Sequence, residues 1–129
     1  MEAKEINRYK GKSIPQLIKI AERYFNAFIR QRDKSKGCIS CGKPVTEAGH
    51  YLSAGHHAIH RFNEHNVNGQ CTHCNRWLHG NLINYRIGLI AKIGEDKVEW
   101  IERTRNHSYK WDRFSLIDTI LKYKRLLKS

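Results

Sequence analysis

Long hydrophobic runs are missing from this 129-residue chain. No apolar stretch approaches the ~20 residues that a bilayer-crossing helix needs. The first residues, MEAKEINRYKGK, contain no apolar core of a secretion signal. The expectation is a cytoplasmic protein with no membrane partner. Hydrophobic residues make up only 40% of the chain, so a core is expected but not a generous one. No internal repeat or low-complexity tract appears, and the length suits a single domain over residues 1–129. Acidic residues are also scarce, with 12 Asp+Glu against 24 Lys+Arg and a formal net charge of +12. That excess favours a polyanionic partner, of which nucleic acid is the commonest.

The charge is unevenly spread. Residues 1–36 hold 10 basic and 4 acidic residues, residues 37–81 hold 3 and 2, and residues 82–129 hold 11 and 6. Basic flanks thus enclose a near-neutral middle that carries every cysteine and most histidines. This division suits flanks that hold phosphates and a centre that performs chemistry.

Residues 1–12 are polar and basic and are expected to be loosely ordered. Ser13, with Pro15 and Gln16 behind it, opens a helix. Ile14, Leu17, Ile18, Ala21, Phe25, Phe28 and Ile29 mark its apolar face, and it should end near Lys34–Gly37. Residues 38–73 have neither helical nor strand periodicity over any length and are read as short strands and loops organised by metal. A short helix is expected from about Cys74–Asn75, with Trp77 packing it. Another is expected from Leu82 to a stop at Gly94, a further short one around Val98, Trp100 and Ile101, and a last one capped by Asp112.

All four cysteines fall in two equally spaced pairs, Cys38-x-x-Cys41 and Cys71-x-x-Cys74. Two residues between cysteines let one turn aim both sulfurs at one ion, and two such turns complete a tetrahedral structural zinc site. Two disulfides are disfavoured without a secretion signal. A redox dithiol leaves the second pair unexplained, and an iron site of the same geometry is the remaining option. Structural zinc can contribute on the order of 10–16 kcal/mol to folding. A zinc ion held by four sulfurs has no open position, so any chemistry must come from elsewhere.

Between and just after the cysteine pairs stand Ala48-Gly49-His50-Tyr51, Arg61-Phe62-Asn63-Glu64, Asn66, and Gln70-Cys71-x-x-Cys74-Asn75 with Gly80-Asn81. This series resembles the phage NinG (Rap) recombination nucleases, which are zinc-containing HNH, or ββα-metal, endonucleases. The likeness extends from about Asn26 to Trp111 and includes Asn26-Ala27-Phe28-Ile29-Arg30, Tyr85-Arg86, Leu89-Ile90 and Ile93-Gly94. The resemblance implies an α+β fold. A zinc-stapled HNH finger over residues 37–81 would be preceded by a helix and followed by two or three more. It also implies a metal-dependent DNA endonuclease acting on branched recombination intermediates such as Holliday junctions and D-loops. Its products would carry 5′-phosphate and 3′-hydroxyl ends. Paired incisions imply a homodimer.

Under that reading His50 is the general base, Asn66 braces the loop behind it, and Asn75 is a ligand of a catalytic Mg²⁺ or Mn²⁺. Many HNH nucleases place an Asp before the catalytic His as a second ligand, whereas this chain has Gly49. His79 ranks first as a substitute by spacing, one helical turn after Asn75, ahead of Glu64, Glu47, His56 and His57. A His ligand would favour Mn²⁺, Zn²⁺ or Ni²⁺ over Mg²⁺. Arg61 could clamp a phosphate or pair with Glu64, and Arg76 and Lys43 could contact DNA or remain solvated. His57, His60, His65, His73 and His107 read as loop, phosphate-contacting or surface residues, and Trp100 and Trp111 as core or helix contacts. The rival reading is a non-catalytic zinc module that binds nucleic acid and recruits a recombination or replication partner.

Overall fold

A computed structural model describes residues 2–128, so Met1 and Ser129, the ends of the segments read above, lie outside it. The chain divides into two compact units, Met1–Phe28 with Lys110–Ser129, and Ile29–Tyr109.

The first unit contains α1 (Glu2–Lys10), most of α2 (Ile14–Asp33) and α5 (Arg113–Lys128). Helix α1 corrects the expectation of a loose N-terminal segment. Its sequence offers only Ile6 and Tyr9 as apolar anchors, but Tyr9 is buried, and Glu5 pairs with Lys124 of α5 at 3.2 Å. Helix α2 opens with the expected capping box. Gln16 N donates to Ser13 Oγ (3.2 Å) and Ser13 N donates to Gln16 Oε1 (2.9 Å). Its four-residue spacing places Leu17, Ala21, Phe25 and Ile29 in one fully buried stripe. Burying a large apolar side chain contributes about 1.5–3 kcal/mol. The stripe therefore holds α2 where polar α1 could not hold itself. Phe25 meets Tyr123 edge-on at 4.8 Å. Helix α5 starts as read, with Ser115 N donating to Asp112 Oδ1 (2.8 Å).

The second unit is α+β. Strand β1 (Glu47–His50) pairs antiparallel with β2 (Val67–Gln70), with Glu47 opposite Gln70 and His50 opposite Val67. A wide five-residue helical turn, His73–Trp77, follows β2, and α3 (Leu82–Ile93) and α4 (Glu95–Arg103) come next. Gly94, at φ 93°, separates these helices where the sequence placed a stop. Tyr51, Leu52, Tyr85, Leu89, Val98 and Ile101 form the apolar core. Arg86 of α3 grips Glu102 of α4 at 2.8 and 3.0 Å, and Tyr51 Oη donates to the same carboxylate. Burial, reinforced by Glu102, pushes the Tyr51 hydroxyl up to about 12.

Strand β2 is buried along its whole length although its sequence is Val-Asn-Gly-Gln. Polar partners make that possible. Asp33, at the end of α2, is 1% exposed and accepts from Arg32 Nε and Nη2 (2.8 Å each), Gly69 N (2.8 Å) and Lys92 Nζ (3.1 Å). Burial alone would raise its carboxyl, but these donors outweigh burial and hold it at about 2. Asn68 accepts from Lys92 (2.6 Å) and donates to Tyr85 Oη (3.1 Å).

Candidate functional site

The four cysteines form one cluster. Gly37 and Gly42 adopt φ values of 84° and 79°. They let the chain fold back so that Cys38 N donates to Lys43 O (2.7 Å) and Gly42 N to Cys38 O (2.8 Å). The ligand atoms of Cys38, Cys41, Cys71 and Cys74 lie within 4.8 Å of one another, and Cys41 and Cys71 Sγ are 3.6 Å apart. Tetrahedral zinc with bonds of about 2.3 Å needs sulfurs roughly 3.8 Å apart, so the set can hold a zinc ion. Two N–H groups support charge on sulfur: Cys74 N points at Cys71 Sγ and Asn81 Nδ2 at Cys74 Sγ, each at 3.4 Å. Burial pushes the Cys71 thiol up, but the Cys74 N–H and the neighbouring thiols outweigh it and bring it to about 7.

His50 ends β1. Its Nε2 lies 3.0 Å from Arg61 O, and a carbonyl only accepts, so Nε2 carries the proton. In the neutral ring the lone pair is then on Nδ1. Asn66, fully buried, clamps the intervening loop. Its Oδ1 accepts from Leu52 N (2.9 Å), and its Nδ2 donates to Leu52 O (3.0 Å) and His60 O (3.1 Å). Both arms of the loop that begins at His50 and returns at Arg61 are thereby tied to one side chain. Tyr85 Oη, rising from α3, donates to Gly49 O at 2.7 Å and fixes the residue before His50.

Asn75 lies in the wide turn after β2. Its Nδ2 donates to Glu47 Oε1 (2.7 Å), which turns its Oδ1 toward Gly49. Glu47 also receives Thr72 Oγ1 (3.0 Å) and Arg76 Nε (2.8 Å). Burial pushes this carboxyl up, and the donors from Asn75, Arg76 and Thr72 outweigh it and hold it below the ordinary range. Glu47 therefore braces the turn, and Arg76 is engaged with Glu47. The side chain that sequence reasoning left without a role is Gln70. Its Oε1 and Asn75 Oδ1 lie 1.7 and 2.9 Å from the point a Cβ on Gly49 would occupy. The signal available was Gly49 itself, since an isolated glycine in a strand marks a close approach.

The helical spacing assumed for His79 does not hold. The turn stops at Trp77, and His79 is exposed at φ 50° in the left-handed region. It nevertheless lines a groove of about 340 Å³ together with His50, Ser53, His57, Leu82 and Arg105. His57 Nδ1 lies 3.0 Å from Arg105 O, and His56 Nδ1 3.0 Å from Ser53 Oγ. Among the described residues, the four cysteines are the sole group of three or more His, Cys, Asp or Glu ligands that converge. Lys43 is exposed. Two further expectations are corrected. His60 is not a surface residue: it is 1% exposed, bonded to Thr104 Oγ1 (2.8 Å) and Asn63 Nδ2 (3.0 Å), and burial lowers its basicity. Trp77 does not pack the turn it belongs to, being 73% exposed, because that turn buries the Cys74 side. Trp100 is half exposed and meets His60 edge-on at 5.7 Å.

Comparison with known proteins places these features in a family. The model of the family described as Bacteriophage Lambda NinG protein matches residues 2–129. The chain is 43% identical over 97 residues to protein ninG of Escherichia phage lambda, covering 73% of this chain and 47% of that protein. It is 40% identical over 114 residues to protein ninG of Escherichia phage 933W, covering 86% and 56%. With protein ninG of Salmonella phage P22 it shares 44% identity over 88 residues, 66% of this chain and 43% of that one. The chain thus spans about half the length of the curated relatives it matches. No solved structure matches it. No described helix is long and apolar enough to cross a membrane. The chain belongs to the family of the bacteriophage lambda NinG protein.

Proposed function

We propose that this chain is a metal-dependent DNA endonuclease of the HNH (ββα-metal) type, with a structural zinc in the four-cysteine cluster and His50 as general base. The observation that carries the proposal is the mounting of His50. Arg61 O accepts a hydrogen bond from Nε2–H, Asn66 fixes both arms of the loop, and the ring lines an open groove. A neutral imidazole with a fixed tautomer suits removal of a proton from an attacking water near pH 7, an effect of about 10²–10⁴-fold. In this proposal Nδ1 receives that proton, and the groove aligns the scissile phosphate in front of it. A divalent cation, Mg²⁺ or Mn²⁺, held by Asn75 would neutralise charge on the phosphate and on the leaving 3′-oxygen. Asn75 fits that duty because its Nδ2 is committed to Glu47 and its Oδ1 is turned away from it. His79, on the groove, is positioned to face a bound phosphate. Arg61 and Lys43 supply further positive charge, and the basic flanks hold the backbone of the DNA. The substrates are branched recombination intermediates and the working form is a homodimer; both belong to the proposal.

The test is incubation of zinc-loaded protein with a four-way junction and with linear duplex, under Mg²⁺, Mn²⁺ or EDTA. Metal-dependent cutting that prefers the junction and is abolished by His50→Ala is the expected result. Equal cutting by His50→Ala, or no cutting of any DNA, overturns the assignment. Junction binding without cutting would instead establish a non-catalytic zinc module.

A further inference from the structure

We infer that Gln70 is the second protein ligand of the cation held by Asn75, its side-chain oxygen standing where Gly49 has no side chain. The inference rests on the nuclease reading above.

Gln70 is fully buried on β2. Its Nε2 donates to Gly80 O (2.9 Å) and to Ser40 Oγ (2.9 Å). Gly80 O only accepts, so the amide cannot be reversed, and Oε1 points the other way, toward Gly49. That Oε1 is buried and has no hydrogen-bond partner among the described residues. Buried carbonyl oxygens in native proteins are almost always satisfied, so an orphan one calls for a specific occupant. Asn75 Oδ1 faces the same point, which places the two oxygens within roughly 5 Å of each other. One cation with bonds of about 2.0–2.6 Å can span that separation. A Cβ on residue 49 would come within 1.7 Å of Gln70 Oε1 and 2.9 Å of Asn75 Oδ1. Gly49 is therefore what admits Gln70, and a carboxylate at position 49 and the Gln70 amide are alternatives for one place. Two amide oxygens are hard, neutral ligands. They select Mg²⁺ or Mn²⁺ over Zn²⁺, and they leave the ion its full charge for a phosphate.

The experiment is a Mn²⁺ titration of isotope-labelled, zinc-loaded protein followed by paramagnetic broadening of its NMR signals. In wild type the Gly49 amide and the side-chain NH₂ groups of Gln70 and Asn75 should broaden first. Gln70→Met should raise the Mn²⁺ concentration needed at Gly49 and Asn75 by at least about 10-fold, the lower end of what supporting residues of metal sites produce. Gln70→Glu should lower it. Should Gln70→Met fail to retain zinc, Gly49→Ala tests the same point by displacing Oε1, and it should weaken Mn²⁺ binding in the same direction. Broadening that starts elsewhere, an unchanged titration in Gln70→Met or Gly49→Ala, or a buried water as the sole partner of Oε1 overturns the inference. Cleavage of DNA with an unchanged Mn²⁺ titration would overturn Gln70 and leave the nuclease reading standing. Mn²⁺ seated at Gly49 without cleavage of any DNA would do the reverse.

Discussion

Replacing Asn66 by alanine tests how far the loop behind His50 depends on one side chain. The amide makes three buried hydrogen bonds, to Leu52 N, Leu52 O and His60 O. Each such bond has a net worth of about 0.5–1.5 kcal/mol, and a partner stranded in the interior costs about 1–3 kcal/mol. Partial entry of water relieves some of that cost, which leaves an expected loss of about 3 kcal/mol. Urea unfolding of the zinc-loaded protein measures it. Hydrogen exchange at the Leu52 amide locates it, because that N–H loses its acceptor while the backbone pairing between β1 and β2 is untouched. Asn66→Asp separates bonding from volume. It keeps the acceptor for Leu52 N but sets a second oxygen against two carbonyls, so it should cost at least as much as alanine. DNA cleavage should fall at least ~10-fold in both variants with zinc retained, since a misplaced base loses its share of proton transfer. A destabilisation below about 1 kcal/mol with Leu52 exchange unchanged would refute the bracing role.

Asp33→Asn should destabilise the protein by about 3–5 kcal/mol, because Arg32 and Lys92 are left without their buried counter-charge. The Asp33 carboxyl sits at about 2, below its ordinary 3.8, so its stabilisation is complete well above that ordinary value and is lost progressively as pH falls from there through 2. Denaturation curves for wild type and variant should therefore differ by a constant amount from about pH 5.5 to 8; a difference that grows across that window would contradict the assignment. Cys71→Ser removes one of four ligands, so metal analysis should find the zinc lost from near one per chain and circular dichroism should show the second unit unfolded.

The helices were legible because their faces are written in a local code. Leu17, Ala21, Phe25 and Ile29 announce α2, Ser13 and Gln16 its start, Gly94 the end of α3, and Asp112 the start of α5. The convergence of the four cysteines was legible from spacing alone. Helix α1 was not, since nine residues with two apolar anchors have no pattern until Tyr9 and Glu5 meet α5. His79 was misplaced because counting four residues from Asn75 presumes a regular helix, and the chain leaves helical geometry after Trp77. The polar network around β2 joins Asp33, Asn68, Tyr85 and Lys92 across long stretches of sequence. Long-range polar pairing has no period, so nothing local foretold that Asn68 and Gln70 would be buried. The same reason hid Gln70 behind Gly49.

Strands of four residues are too short to choose their own alignment, and a slip of one residue would turn every side chain to the wrong face. Here the alignment is read from outside the sheet. The Tyr85 hydroxyl on α3 recognises Gly49 O, and the Asp33 carboxylate on α2 recognises Gly69 N, one contact on each strand. A slipped hairpin could not present both groups to their readers at once, so the two helices act as proofreaders of strand pairing. The pairing is therefore fixed jointly by α2 and α3 and not by the strands alone. A segment cut down to the two strands and the cysteine cluster should lose the alignment that sets His50 opposite Val67.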